Sequence, residues 1–232
     1  MSNRFFRLPL AFDPDRLCAD LTRCQERPWI DHFNTRDYEG KWTSVSLRSG
    51  SGSADDIKAA PGGSAYQDTP LVDACPYFRI VLDQFHCEMQ AVRLLRLGPG
   101  SQIHEHRDPA SSYADGFFRL HIPITTNPGT LFIVDGERLP MQPGECWYAD
   151  FGLPHSVRNL DRTDRVHLII DGLRNAWSDR LFEEAGYDFA EEARGREMSA
   201  DIRREVIATL RARGSETDLR LATELEAAGM ES

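Results

Sequence analysis

In the stretch SQIHEHRDPASSY, His106 and Asp108 occupy alternate positions. In an extended segment both side chains leave the same face, so one imidazole and one carboxylate can meet one cation. A second imidazole from elsewhere completes a two-histidine, one-carboxylate set, which leaves a face of octahedral iron(II) open for cosubstrate and oxygen. His155, in DFGLPHSVRN, is the candidate, separated from the first pair by enough chain for several short strands. An HxD triplet is by itself a common solvated or salt-bridged pair, and Arg165 is what gives this one weight. It opens the apolar run RVHLIIDGL, shares a face with His167, Ile169 and Asp171, and a hairpin through NLDRTD folds it back beside the metal. A guanidinium there grips a carboxylate through two parallel charge-assisted hydrogen bonds.

Arg119 and His121, in FFRLHIPI, flank Leu120 and point to the face opposite it. Two donor side chains inside a barrel are costly unless they meet an anion, and a dicarboxylic cosubstrate would satisfy them; a salt-bridged arginine and a hydrogen-bonded core histidine are the plainer alternative. His104 competes with His106, since His104-Glu105-His106 is also an alternating pair. Three ligands spread along one strand at about 3.3 Å per residue do not easily reach one small ion, which puts His104 beside the ligands or toward substrate. His32 and His86 lack ligand-spaced neighbours and read as structural, and Trp147 and Tyr148 as core.

These residues need a scaffold that gathers distant strands. The runs MQAVRLLRL, FFRLHIPI, GTLFIVDG, ERLPMQPGECWYAD and RVHLIIDGL follow one another with Gly98-Pro99-Gly100, Asn127-Pro128-Gly129, Asp135-Gly136 and Pro143-Gly144 as turns. That pattern predicts a mainly β chain closed as a double-stranded β-helix, the jelly roll of the cupins. Mixed apolar spacing over Pro70 to Phe85 permits a helix ahead of it. The stretch 48 to 63, rich in Gly, Ser and Asp, reads as a surface loop and a candidate lid. Arg48 and Trp42, on its near side, stand with His104 as candidates for substrate contact. After Trp177 the pattern turns helical, with Ser199 as a cap, Gly214 as a stop and a second helix from Ser215 to Gly229. The reading is therefore one jelly-roll domain over 1–177 and a helical extension over 178–232, for which packing, pairing of two copies as a homodimer and closure over the site all stay open.

With 27 Lys and Arg against 37 Asp and Glu, the formal charge is −10, which repels nucleic acid and acidic bilayers. Five scattered cysteines without a CxxC pair read as reduced core thiols. The N-terminus shows neither a signal peptide nor a membrane span, so a cytoplasmic address is expected.

Four segments in order, HEHRD at 104–108, RLHIPITTNP at 119–128, GECWYADFGLPHSVRN at 144–159 and DRVHLIIDG at 164–172, resemble the aspartyl/asparaginyl β-hydroxylase family, which includes bacterial L-proline cis-4-hydroxylases. The resemblance covers roughly residues 28 to 177. It implies iron(II) on His106, Asp108 and His155, with Arg165 on the distal carboxylate of 2-oxoglutarate and Arg119 and His121 helping to seat that cosubstrate. The vertebrate type of the family lacks the carboxylate ligand, whereas Asp108 is present here. The implied activity is a dioxygenase that spends O2 and 2-oxoglutarate, yields succinate and CO2, and hydroxylates an amino-acid side chain, with ascorbate as a stimulant. The acceptor is either an Asp or Asn β-carbon, in a peptide or free, or free L-proline. Two rivals stand beside it: a cupin-like metal enzyme that does not use 2-oxoglutarate, and a non-catalytic sensor of small acids. The cupin-like enzyme has no use for the dicarboxylate clamp of Arg165 and Arg119, and turnover separates the sensor.

Overall fold

The computed structural model describes residues 3–59 and 65–228. In chain order the first part runs β1 (Phe5–Ala11), α1 (Pro14–Cys24), β2 (Ile30–Asp31), β3 (Tyr38–Glu39), β4 (Trp42–Ser49), β5 (Gln67–Asp68), α2 (Pro70–Ala74) and α3 (Pro76–Leu82). The middle is almost all strand: β6 (Met89–Leu97), β7 (Gln102–His106), β8 (Phe117–Thr125), β9 (Thr130–Val134), β10 (Glu137–Arg138), β11 (Glu145–Ala149), β12 (His155–Asn159) and β13 (Arg165–Leu173). Helices α4 (Ala176–Glu184), α5 (Phe189–Arg213) and α6 (Glu216–Ala228) follow.

The strands form two antiparallel sheets. The larger runs β1-β11-β8-β13-β6-β4-β2, with β5 on β4, and the smaller runs β10-β9-β12-β7-β3. Burial shows how each is covered. β6 and β13 are buried at nearly every position, so both faces of the larger sheet are packed, whereas β9 and β12 alternate and leave one face of the smaller sheet to water. Between the sheets lies the core of Leu95, Leu97, Ile103, Phe132, Val134, Phe151, Val157 and Ile169. This is the expected jelly roll. Asp135 and Gly136, both at positive φ, turn β9 back onto β10, as a two-residue hairpin requires.

Helix α1 starts at Asp13, whose carboxylate accepts from the backbone N–H groups of Asp15 and Arg16, with Pro14 in the first turn. Its buried Asp20 accepts from the N–H groups of Tyr77 and Phe78 and so fixes α1 to the start of α3. Helix α4 stacks Phe182 on Tyr113 at 3.8 Å, so it belongs to the barrel's own packing. The compact β unit accordingly extends to Tyr187, past the expected boundary at 177, and a second unit begins at Asp188.

That second unit differs from the expectation in one respect. Asp188, not Ser199, caps α5, accepting from the N–H groups of Ala190 and Glu191, and the helix runs unbroken through position 199. Gly214, at φ 71°, ends it as predicted. Ile207 and Leu210 of α5 and Ala222 of α6 form a small core. The predicted second helix is α6, and Gly229 lies outside the described residues. Of the expected loop 48–63, residues 60–63 lie outside the described residues; up to Ala59 it is tied down by buried Ala54 and Ile57 and by Ser46 Oγ donating to the Asp56 carbonyl at 2.7 Å. Among the described residues no helix is long and apolar enough to cross a membrane.

Candidate metal centre

His106 ends β7 and His155 opens β12, and the two face each other in the ladder. The register slips between that pair and the next, Val157 opposite Ile103, so β7 carries one extra residue in between. The slip puts both Ile103 and His106 on the inner face and turns His104 outward, where its ring is 42% exposed and lies 3.6 Å from Glu39. A bulge thus selects His106 over His104. Past the strand, Asp108 is pinned by its own N–H, which donates to the Phe151 carbonyl at 2.8 Å.

The protonation of the rings follows from their partners. His106 Nδ1 lies 2.8 Å from the His104 carbonyl and His155 Nδ1 3.0 Å from the Leu153 carbonyl. A carbonyl only accepts, so both Nδ1 atoms carry the proton and both Nε2 lone pairs are free for a metal. Burial, with smaller effects from the neighbouring groups, holds the His155 pKa below its ordinary value, which favours the neutral form a ligand needs. Asp108 Oδ2 accepts from Arg119 at 2.8 Å, while Oδ1 faces His106 Nε2 at 3.6 Å. One ligand atom from each of His106, Asp108 and His155 lies within 4.8 Å of the others. Two neutral imidazoles and one carboxylate, converging on one side of a cavity, fit iron(II) with open positions.

Behind the ligands the larger sheet supplies a row of charges. Asp171 on β13 stands opposite Arg119 on β8 and diagonal to Arg93 on β6. Arg119 Nε and NH2 donate to Asp171 at 2.7 and 3.1 Å, and Arg93 NH2 donates to it at 3.0 Å. The chain Arg93, Asp171, Arg119, Asp108 alternates in sign and ends on a candidate metal ligand. Arg119 therefore spends its donors on Asp108 and Asp171, the salt-bridged alternative, and its visible work is to orient the carboxylate ligand.

Arg165 is different. It is 2% exposed and, among the described residues, has no carboxylate partner; its Nε is unpartnered and its NH2 donates to His167 Nδ1 at 2.8 Å. Burial pushes its pKa down to about 9. Its guanidinium lies over the Phe132 ring, 5.3 Å from the centroid. An isolated buried cation is costly, and this one lines the same cavity as His106, Asp108 and His155. The predicted hairpin through NLDRTD is instead a crossing: β12 pairs with β7 and β9 while β13 pairs with β6 and β8. Asn159 secures the crossing by donating to the Leu97, Gly98 and Thr163 carbonyls. His155 and Arg165 consequently face each other from opposite sheets.

His121 lines that cavity too, with Nδ1 3.2 Å from His167 Nδ1 and Nε2 unpartnered. Trp42 borders it and also a wider outer cavity of about 300 Å³, where its ring stacks on His32 at 3.5 Å. Arg48 reaches neither. The register slips between Ser46 and Arg48, pairing Arg48 with Val92 and moving it off the face that Arg93 and Leu95 share. There it donates to Asp68 at 2.6 Å and to the Met89 carbonyl. Sequence reasoning missed Arg93 and His32 as walls of the outer cavity. The available signal for Arg93 was a charge in alternation with Leu95 and Leu97; His32 gave none.

The family model described as Aspartyl/Asparaginyl beta-hydroxylase matches residues 15–175. The chain belongs to this family. Within curated proteins it is 29% identical over 163 residues to L-proline cis-4-hydroxylase of Rhizobium meliloti (strain 1021), covering 69% of this chain and 57% of that one. It is 27% identical over 169 residues to L-proline cis-3-hydroxylase 2 of a Streptomyces species, covering 70% and 57%. The aligned part thus spans little more than half the length of these relatives. Among solved structures, an oxidoreductase of the 2OG-Fe(II) oxygenase family from Burkholderia pseudomallei aligns over 68% of this chain and 79% of that one, with 18% identity and a TM-score of 0.46. In a β-hydroxylase family member, the segments carrying His106, Asp108, Arg119, His155 and Arg165 all fall inside the matched span.

Proposed function

We propose that this chain is an Fe(II)- and 2-oxoglutarate-dependent dioxygenase that hydroxylates an amino acid. The observation that carries the reading is the meeting, in one cavity, of His106, Asp108 and His155 with Arg165, a buried guanidinium lacking any carboxylate among the described residues. Iron(II) bound by those three residues would supply, with 2-oxoglutarate and O2, the oxidising power for hydroxylation, with succinate and CO2 as coproducts. The remaining work belongs to the chain. The two Nε2 lone pairs and Asp108 Oδ1 present the donors, and Arg119 keeps Asp108 from rotating away. Arg165 receives the distal carboxylate of the cosubstrate, with His121 beside it. Phe132 and Phe151 keep the inner cavity dry, which strengthens these charge-assisted contacts.

For the acceptor, the two curated relatives support free L-proline or a similar ring amino acid over an Asp or Asn β-carbon. Trp42 and Leu95 give the outer cavity an apolar wall suited to such a ring, and buried Arg93 offers a cation there. Ascorbate stimulation belongs to the same reading. Pairing of two copies through α5 and α6 is a further part of it, supported by the exposed Ile202, Val206, Leu219 and Leu221. The test is an aerobic assay with iron(II) and 2-oxoglutarate, following succinate and hydroxylated product against free proline, other free amino acids, and peptides containing Asp, Asn or Pro. Product from proline or a ring analogue is expected; succinate from no acceptor, with no uncoupled turnover, would remove the oxygenase reading.

A further inference from the structure

A third cavity, of about 500 Å³, shares Phe132 with the metal cavity. Its interior meets His167, 1% exposed, whose Nε2 is buried without a partner. The hydrogen bonds fix what that atom is. Arg165 NH2 can only donate, so His167 Nδ1 must accept from it, and the single ring proton sits on Nε2. His121 Nδ1, 3.2 Å from His167 Nδ1, competes with Arg165 for that one lone pair. His167 Nε2–H is therefore a buried donor without a partner, on a residue that lines the cavity, and such a group is expensive to leave unmet.

The surroundings say what would meet it. Among the described residues no acidic side chain lines the cavity, and Arg138 is the one charged side chain there. The unbalanced Arg165 lies directly behind His167 and adds positive potential. Leu139, Met141 and Phe132 supply an apolar wall, and the volume falls within the range of small-molecule sites. We propose that this rear cavity binds a small monocarboxylic acid, its carboxylate accepting from His167 Nε2–H and its apolar part resting on Leu139, Met141 and Phe132. The acid and the cosubstrate then flank one guanidinium from opposite sides. Two anions sharing one cation repel, so each weakens the other's binding by the same factor. This coupling rests on the role proposed for Arg165; the binding itself does not.

The probe is 4-bromobenzoate. Crystals of the metal-free protein soaked with it should show anomalous bromine density in the rear cavity, with the carboxylate within hydrogen-bond distance of His167 Nε2. In calorimetric titrations, Gln142→Trp, which fills the cavity mouth from an exposed position, should weaken the probe by about tenfold or more. On Ni(II)-loaded wild-type protein, saturating probe should weaken 2-oxoglutarate by about fivefold or more, the lower end of ordinary coupling between sites. Bromine only in the metal cavity, no bromine at all, or equal affinity in Gln142→Trp would overturn the proposal. Absence of turnover with every acceptor would instead sink the hydroxylase reading and leave the crystallographic result standing.

Discussion

His155 sits directly opposite His106 across the β7–β12 ladder, with ring centroids 4.2 Å apart, and the next matched pair is one residue out of step. That slip separates a candidate ligand, His106, from the exposed His104. Substituting His106→Ala or His155→Ala should therefore weaken Co(II) binding by more than the roughly 100-fold that loss of a supporting contact can cost. His104→Ala should leave it within a few-fold of wild type. Calorimetric titration checks this, and equal losses for His104→Ala and His106→Ala would show that the bulge does not choose between them.

Asp171 supports the site without touching the metal ligands. Both Arg93 and Arg119 donate to its carboxylate, which is 1% exposed. Replacing it by a neutral side chain leaves buried Arg93 short of charge and half-buried Arg119 with Asp108 alone, so Asp171→Asn should lose about 3–5 kcal/mol of stability in urea unfolding. Because Arg119 then loses the partner that aims it at Asp108, Co(II) affinity should also fall, by roughly 10–100-fold. A stability loss with unchanged metal affinity would make Asp171 a structural ion-pair partner only.

The pairing of His106 with Asp108 as candidate ligands was legible because two positions apart is a local relation, whereas their meeting with His155 depends on the β7–β12 register. The strands were legible for the same reason, since apolar runs and turn residues repeat along the chain. What escaped depends on register between strands. Arg48 looked like a substrate contact until a slip in β4 moved it to the other face, and Arg119 looked available until Asp171 appeared opposite it. The connection to Arg165 read as a hairpin because the six residues NLDRTD carry turn formers; only the pairing of β12 and β13 with different sheets reveals the crossing. In α5, Ser199 resembled a cap because serine caps helices well, yet Asp188 offers the same chemistry earlier and the helix continues through.

Arg165 joins function to instability. A buried guanidinium with no carboxylate partner is a cost the folded protein carries, so Arg165→Met, similar in length and uncharged, should raise the melting temperature. The same substitution should weaken 2-oxoglutarate, since charge-assisted hydrogen bonds contribute about 1.5–3 kcal/mol each. Arg165→Lys keeps the charge but not the paired donors, and should fall between the two in cosubstrate affinity. Calorimetry and thermal unfolding on the same three proteins check the pattern. A lower melting temperature for Arg165→Met would mean that the guanidinium is already compensated.

The buried histidines set an acid limit on stability. Burial, aided by nearby cations, lowers the His32 pKa from 6.5 to about 4 and holds those of His121 and His167 well below 6.5. A basic group whose folded pKa is depressed binds its proton more readily unfolded, so stability is full above about 6.5 and declines as the pH falls below it. For His32 the decline levels off near pH 4, and it amounts to on the order of 3 kcal/mol. His121 and His167 extend it further into acid. Urea unfolding at pH 7, 5.5 and 4 should show the fall, and His32→Gln should make it shallower over that interval. A slope that His32→Gln leaves unchanged would place the proton uptake elsewhere.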